Sequence, residues 1–292
     1  MAIHSRSDID PTARIADEVN IGPGVVVESG AIIEHGVEIG PNAVIGPNTI
    51  LREGVRVFPG AIIGTEPQDM KYDGSPTRCE IGPRSVIREY ATINRGTSSS
   101  GATLVGADSY IMSYAHIAHD CRIGDHVIMA NNASLAGHCK IEDHAVLGGY
   151  AILHQYVRVG TLAMIGGFSG LRRDAPPYMI TYGYPPARVY GLNSIGLKRS
   201  GMSPEARAQL KAAFRILYRS GLNFTQALDQ IRSNLGPAPE IEHLLKFFET
   251  TTRGVCRGAY SGIDVHDLRD ENDGPGRTDR FWTGITRHVR QR

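Results

Sequence analysis

An aliphatic side chain recurs every sixth residue from Ile9 onward: "IDPTAR IADEVN IGPGVV VESGAI IEHGVE IGPNAV IGPNTI LREGVR VFPGAI". The period resumes in "IGPRSV IREYAT INRGTS" and again from Val105, running through Met129 and Leu147 to Leu171. Outside two breaks the first position is always Ile, Val, Leu or Met. The fifth, from Ala13 and Val19 to Ala163 and Ser169, is Ala, Val, Ser, Thr or Cys. A helix repeats its apolar face every three to four residues and a half-buried strand every two, so neither sustains this spacing. The pattern is that of a β-solenoid, in which one large and one small residue per hexapeptide point inward and polar or glycine positions turn the corners. Three hexapeptides close a triangular coil, and coils stack at the parallel-strand spacing of about 4.8 Å. Each aliphatic residue then rests on one 18 positions away.

The first break, "TEPQDMKYDGSPTRCE" at 65–80, is polar and rich in turn formers, and reads as a loop expelled from the solenoid. The second, "SSSGATL" near 98–104, is shorter. Loops leaving a rigid scaffold are where binding groups commonly sit. After about residue 190 the period gives way to helical patterning. "SPEARAQLKAAFRILYRSG" offers Ser203 as N-cap, Pro204 at the first helical position, an apolar face of Leu210, Phe214, Leu217 and Tyr218, and Gly221 as terminator. "NFTQALDQIRSNLG" and "EIEHLLKFFETTTRG" read as further helices. The expected organisation is a β-helix over 1–190, a small helical domain over 191–257 capping the open end of the core, and a polar, aperiodic tail over 258–292 that reads as disordered.

Composition narrows the function. Among 292 residues, 31 basic side chains face 30 acidic ones, and no block of like charge precedes the tail, which argues against a nucleic-acid or anionic-membrane binder. Aromatics make up 7%, with Trp282 the one tryptophan, so no base-stacking platform is evident. No apolar run reaches the roughly 18 residues of a membrane span. Cys79, Cys121, Cys139 and Cys256 form no CxxC pair, and no secretory signal is recognisable at the start. A cytoplasmic protein without structural disulfides is expected. Cys121 and Cys139 occupy the small inward column one coil apart, and read as stacked core residues.

Histidines are unevenly distributed: His116, His119, His138, His144 and His154 fall within three coils, and "SYAHIAHDCRIGDH" sets Asp120 beside His119. One coil plus one residue separates His119 from His138, so they should be neighbours at a common corner. Three readings are open on the residues alone. They are polar outer-face positions of a repeat; imidazoles from adjacent coils or subunits binding a metal; or a general base, His119, whose tautomer is fixed by Asp120. No cysteine or carboxylate set clearly completes a metal site.

Several ordered motifs go further. "AHIAHDC", "ANNASLAGH", "HQY" and "IGGFSG", with the loop "QDMKYDGSPTR", the segment "IREYATINRGT" and the helical entry "GLNSIGLKR", resemble the UDP-N-acetylglucosamine acyltransferases that begin lipid A synthesis, over residues 1 to about 257. The generic rule for parallel crossovers predicts a right-handed path, whereas the resemblance implies a left-handed parallel β-helix. It also implies a homotrimer with active sites between subunits, with acyl carrier protein carrying a 3-hydroxyacyl group and UDP-N-acetylglucosamine as partners, and with no metal or organic cofactor.

Residue by residue, the resemblance implies His119 as general base toward the sugar 3-hydroxyl, supported by Asp120, and the Gly137 N–H as oxyanion donor. An imidazole, with an ordinary pKa of about 6.5, suits base work at neutral pH. His116, His138, His154 and Gln155 match sugar-pocket positions; Gln68, Asp69 and Lys71, on the expelled loop, match residues that reach across the cleft. Asn193 and Arg199 match nucleotide-binding positions, Arg199 suiting the diphosphate. Gly167 matches the position that sets acyl length, where glycine leaves the groove open to a long chain, although a glycine in "IGG" also has an ordinary structural reading. The chain departs from the family at Ile195 and Ser200, where Glu and a second Arg are common, and at Asn94, in place of a histidine. With no Ser or Cys nucleophile paired to His119, direct attack without an acyl-enzyme is expected. The alternatives are an N-acyltransferase on the 3-amino analogue of the sugar, a non-catalytic solenoid scaffold and a metal-dependent hexapeptide enzyme.

Overall fold

The computed structural model describes residues 2–259. Within them the six-residue period becomes a three-sided parallel β-helix. Most hexapeptides contribute a two-residue strand whose second member is the inward aliphatic one, as in Val26–Val27, His116–Ile117 and Val146–Leu147. The strands sort into sheets of eleven, nine and eight members, denoted A, B and C in the order in which the chain visits them. Inward positions pair in register with the next coil: Ile21 with Ile39, Ile117 with Leu135 and Leu147 with Ile165, each 18 residues on. Across the two breaks the interval widens to 30 for Val57 and Ile87 and to 24 for Ile87 and Ile111. Both excursions therefore leave and re-enter without putting the inward aliphatic column out of register.

Ile33, Ile45, Leu51, Ile63, Ile111 and Leu135 are fully buried, as are Ala43, Ala61, Cys121 and Cys139 of the small column. Each such Ile or Leu contributes roughly 1.5–3 kcal/mol by leaving water. Ile9, Ala13 and Ile15, in the first coil, are only partly buried. At most corners the residue before the small column takes a left-handed conformation. The early coils mix glycines such as Gly24, Gly30 and Gly36 with Glu18, Asn42 and Asn48, whereas the later ones use side chains, with φ 57° at Tyr90, 61° at Asp120 and 63° at His138. Non-glycine residues accept this at a cost of about 1–2 kcal/mol each. Their side chains stack on the next coil, with ring centroids 4.6 Å apart for His126 and His144 and 4.5 Å for His138 and Tyr156, close to the spacing of the strands beneath.

The first excursion covers 66–77, shorter than the 65–80 read from composition. Thr65 still belongs to the strand Ile62–Thr65, and Arg78–Ile81 is a strand between Thr49–Leu51 and Ala102–Val105. Beyond Leu171 comes a hairpin that the six-residue pattern does not reveal, Met179–Tyr182 antiparallel to Arg188–Leu192. Four helices follow: α1 (Ser194–Arg199), α2 (Pro204–Arg219), α3 (Phe224–Asn234) and α4 (Pro239–Glu249). Ser203 caps α2 through its side chain, and Gly221 stands just beyond its end at φ 78°. Leu210, Leu217, Ile231, Leu244 and Phe247 pack with Tyr178, Met179 and Val189 of the hairpin region as a second core. Gly258 and Ala259, expected to begin the tail, pair with Val189; the rest of the expected disordered tail, 260–292 with Trp282, lies outside the described residues. No helix among the described residues is long and apolar enough to cross a membrane.

One polar cluster ties the helices to the last coil. Arg158 donates to Asp174 (Nε to Oδ2, 2.8 Å), to the Phe247 carbonyl at the end of α4 (2.7 Å) and to Thr250 (3.0 Å), and lies 4.2 Å from the Phe247 ring centroid. Asp174 is fully enclosed and also accepts from Thr251. Removing one member of a buried ion pair strands the other charge, so Asp174→Ala should cost about 3–5 kcal/mol in urea unfolding; a loss below about 1 kcal/mol would mean that the cluster does not hold the cap.

Candidate active site

The corner between sheets B and C gathers the histidine-rich segment. The chain passes from strand His116–Ile117 of sheet B, through a turn carrying His119 and Asp120, to strand Arg122–Ile123 of sheet C. One coil on, Gly137 lies under His119 and His138 under Asp120; two coils on come Gln155 and Tyr156. His119 and His138 meet edge to face with ring centroids 5.2 Å apart. The adjacency expected from their spacing is present.

His119 Nδ1 is 2.8 Å from Asp120 Oδ2, with 8% of the His119 side chain exposed and none of the Asp120 side chain. Burial alone would raise the pKa of Asp120, but donors from Ser100, His119 and Thr97 outweigh it and hold the carboxyl below the usual range. Thr97 gives two of these bonds, N–H to Oδ1 at 3.0 Å and Oγ1 to Oδ2 at 2.7 Å, and the Ser100 hydroxyl gives a third. An ionised Asp120 accepts from Nδ1–H and so leaves the Nε2 lone pair of His119 free to take a proton.

Gly137 has a local reason for lacking a side chain. A Cβ there would stand 2.6 Å from His119 Cε1 and 2.7 Å from Nε2, so the glycine makes room for the His119 ring. Its N–H has no hydrogen-bond partner among the described residues. At the equivalent turn position of another corner the same N–H meets a carboxylate oxygen: Glu53 with Glu34 (3.1 Å), Ala107 with Asp125 (2.7 Å), Asp125 with Asp143 (2.9 Å) and Thr161 with Glu142 (2.8 Å). This turn therefore presents an anion-seeking donor, and at Gly137 that donor is unused and adjacent to His119.

His116, on the outer face of sheet B, bonds through Nδ1 to Thr92 Oγ1 at 2.8 Å, and burial followed by the nearby His119 lowers its pKa. His138 is lowered likewise by burial and His119, against the opposing charges of Asp120 and Asp69. Gln68 and Lys71 are exposed, and Asp69 Oδ1 accepts the Lys71 N–H at 3.0 Å. His154 and Gln155 follow strand Ile152–Leu153 at the same corner, Gln155 exposed. Asn94 is buried and ties the loop down through Nδ2 to the Glu66 carbonyl at 2.6 Å, while its Oδ1 has no partner among the described residues.

The remaining expected residues lie elsewhere on this chain. Asn193 caps α1: its Oδ1 accepts from Gly196 N–H (3.0 Å) and its Nδ2 donates to the Leu162 carbonyl (2.9 Å), at the corner between sheets C and A. Arg199, at the end of α1, is exposed, as is Ile195; the Ser200 hydroxyl turns back to the Leu197 carbonyl. Gly167 lies at the third corner, between sheets A and B, where a Cβ would meet the Gly149 carbonyl oxygen at 3.2 Å. Its bareness therefore has a packing cause as well.

His119, Asp120 and His138 place potential ligand atoms within 4.8 Å of one another, so a carboxylate does complete a metal-type set that the spacing had not suggested. The donors from Thr97, Ser100 and His119 already occupy the lone pairs of Asp120. That arrangement suits a hydrogen-bonded dyad better than an ion. The four cysteines are buried, and burial pushes the Cys79 and Cys256 thiols up to about 12 and Cys121 well above its ordinary value, which makes these three poor nucleophiles. Sequence reasoning missed Thr97, Ser100 and Thr92; the hydroxyl-rich second break pointed to Ser100 alone, while Thr92 and Thr97 read as ordinary positions of the repeat.

Two family models match the chain: "Udp N-acetylglucosamine O-acyltransferase; Domain 2" over residues 174–256, and "Bacterial transferase hexapeptide (six repeats)" over 18–53 and 102–137. The acyl-[acyl-carrier-protein]–UDP-N-acetylglucosamine O-acyltransferase of Thermodesulfovibrio yellowstonii is 46% identical over 256 residues, covering 87% of this chain and 99% of that protein. Its counterpart from Thiobacillus denitrificans is 43% identical with the same coverage. Among solved structures, the UDP-N-acetylglucosamine acyltransferase of Bacteroides fragilis superposes with a TM-score of 0.85 at 38% identity, covering 87% of this chain and all of that one. That of Campylobacter jejuni gives 0.83 at 36%, covering 87% and 99%.

The pH dependence of stability follows from Asp120. With its folded pKa below the unfolded value of about 3.9, the ionised carboxylate stabilises the fold fully above that pH and progressively less as pH falls through the folded value. The stability gap between wild type and Asp120→Asn, read by urea unfolding, should therefore narrow from pH 7 to about pH 3; a gap that widens on acidification contradicts the assignment.

Proposed function

The chain belongs to the acyl-[acyl-carrier-protein]–UDP-N-acetylglucosamine O-acyltransferase family, and from that membership we propose a mechanism carried by one observation, the stack of Asp120, His119 and Gly137. The protein transfers an acyl chain from acyl carrier protein to UDP-N-acetylglucosamine, the first step of lipid A synthesis. His119 Nε2 takes the proton of the sugar 3-hydroxyl while that oxygen attacks the thioester carbonyl carbon. The tetrahedral oxyanion accepts from the free Gly137 N–H. Collapse breaks the carbon–sulfur bond, and the imidazolium, stabilised by Asp120, returns its proton to the departing thiolate. The buried, protonated thiols support direct transfer without an acyl-enzyme.

His116, His138, His154 and Gln155 line the sugar side, with Gln68, Asp69 and Lys71 supplied by the loop. Arg199, exposed at the end of α1, is available to the diphosphate, and Asn193 orders that end. Gly167 leaves room for a long 3-hydroxyacyl chain. These groups occupy different corners of one prism, and a prism cannot bring its own edges together. That division supports a homotrimer, in which clefts combine edges of neighbouring subunits. The buried free cysteines accord with a cytoplasmic setting.

The test is acyl transfer from carrier proteins bearing graded 3-hydroxyacyl chains to UDP-N-acetylglucosamine and to its 3-amino analogue. His119→Ala should lower kcat by about 10²–10⁴, and wild type should favour the hydroxyl sugar; full activity in His119→Ala removes the general-base role, and a strong amine preference overturns the 3-hydroxyl as acceptor. Gly137→Ala should keep its melting temperature and lose about tenfold or more in kcat, because the new methyl displaces the imidazole from Asp120.

A further inference from the structure

We propose that Thr97 and Ser100, on the second excursion, are positioning residues that keep Asp120 ionised and aimed at His119. The inference rests on the His119–Asp120 pair being the reacting dyad. Asp120 sits in the prism wall, and burial there favours its neutral form. Its protonation would not be a passive loss. A neutral carboxyl would donate its own proton to Nδ1, forcing the tautomer that carries hydrogen on Nε2, and the imidazole could then no longer accept a proton from substrate. Competence of the base depends on whatever keeps that carboxyl charged.

Three donors do so, all from a segment displaced from the coil. Oδ1 receives Thr97 N–H at 3.0 Å and the Ser100 hydroxyl; Oδ2 receives Thr97 Oγ1 at 2.7 Å together with His119 Nδ1 at 2.8 Å. Each oxygen is met by two donors, so the carboxylate cannot rotate without breaking bonds at both. From the other side the Asp120 N–H donates to Thr103 Oγ1 at 2.8 Å, fixing the residue in its left-handed conformation.

The donors are themselves held. The Gly101 N–H closes on the Thr97 carbonyl at 2.8 Å, and the Thr77 hydroxyl donates to the Gly96 carbonyl at 2.6 Å. Two residues earlier the segment seats the expelled loop. Arg95, almost wholly buried, donates to Tyr72 Oη at 3.2 Å and lies 5.3 Å from that ring's centroid. The second excursion is thus a cradle for the orienting carboxylate, built beside the anchor of the loop.

The experiment measures kcat and KM for Thr97→Val, Thr97→Ser and Ser100→Ala, alone and with Asp120→Asn, using intact protein with acyl carrier protein and UDP-N-acetylglucosamine. Thr97→Val should lower kcat about 10- to 100-fold, the range set by losing a hydrogen bond to a buried charge, with both KM values within about twofold. Thr97→Ser should restore most of the rate, and Ser100→Ala, on the exposed side of the turn, should cost severalfold. In the Asp120→Asn background Thr97→Val should cost nothing further, because the charge that it serves is gone. Wild-type kcat in both Thr97→Val and Ser100→Ala, an effect confined to KM, or full additivity with Asp120→Asn overturns the proposal. Those results leave the dyad standing if His119→Ala and Asp120→Asn are themselves slow; if these two turn over at the wild-type rate, the dyad falls and the positioning role with it.

Discussion

Coils of parallel strands can stack only at the hydrogen-bonding distance between strands, and every side chain on this prism inherits that interval. Inside, it sets Ile117 on Leu135 and Cys121 beside Cys139. Outside, it sets ring upon ring at the corners, where His126 meets His144 and His138 meets Tyr156. A solenoid with this repeat holds an outward residue about 4.8 Å from its successor, within reach of hydrogen bonds once side chains are added. The histidine-rich corner uses that geometry. Three consecutive coils supply His119, Gly137 and Gln155 in one column, with Asp120, His138 and Tyr156 in the next.

The same constraint explains why the donors to Asp120 come from a departure from the repeat. An ideal coil places two outward columns beside each other, but it cannot converge several donors on one carboxylate from different directions. Asp120 obtains them from Thr97 and Ser100, where the chain leaves the coil and folds back over the wall. Gly137 shows the complementary device: one bare position in a stacked column opens a slot that the imidazole above it fills.

What could be read beforehand was what obeys the period. The inward columns, the burial of Cys121 and Cys139, the meeting of His119 and His138, and the Ser203 cap of α2 all follow from spacing or from local capping chemistry. Thr97 falls in the small column of the repeat, and that phase does not reveal that its hydroxyl turns to Asp120; Ser100 lies on the excursion, which has no phase, and a hydroxyl aimed at a carboxylate leaves no spacing signature. The Arg158–Asp174 cluster joins residues from the last coil, the end of α4 and the segment behind it, a juxtaposition set by tertiary packing alone. Asn193 was named only through the resemblance, as a nucleotide-binding position; its work as a cap on α1 depends on where that helix begins. The hairpin Met179–Tyr182/Arg188–Leu192 breaks the period and so escaped it.

The two ends of the prism differ. The last coil is roofed by helices and pinned by an enclosed ion pair, whereas Ile9, Ala13 and Ile15 of the first keep part of their surface in water. In an array held together by nearest neighbours, opening propagates from the weaker terminus. Amide protons should therefore exchange with solvent in a graded sequence along the axis, earliest near Ile9 and latest near Val159. The dyad, several rungs inward, is insulated from fraying by expendable layers of the same repeat.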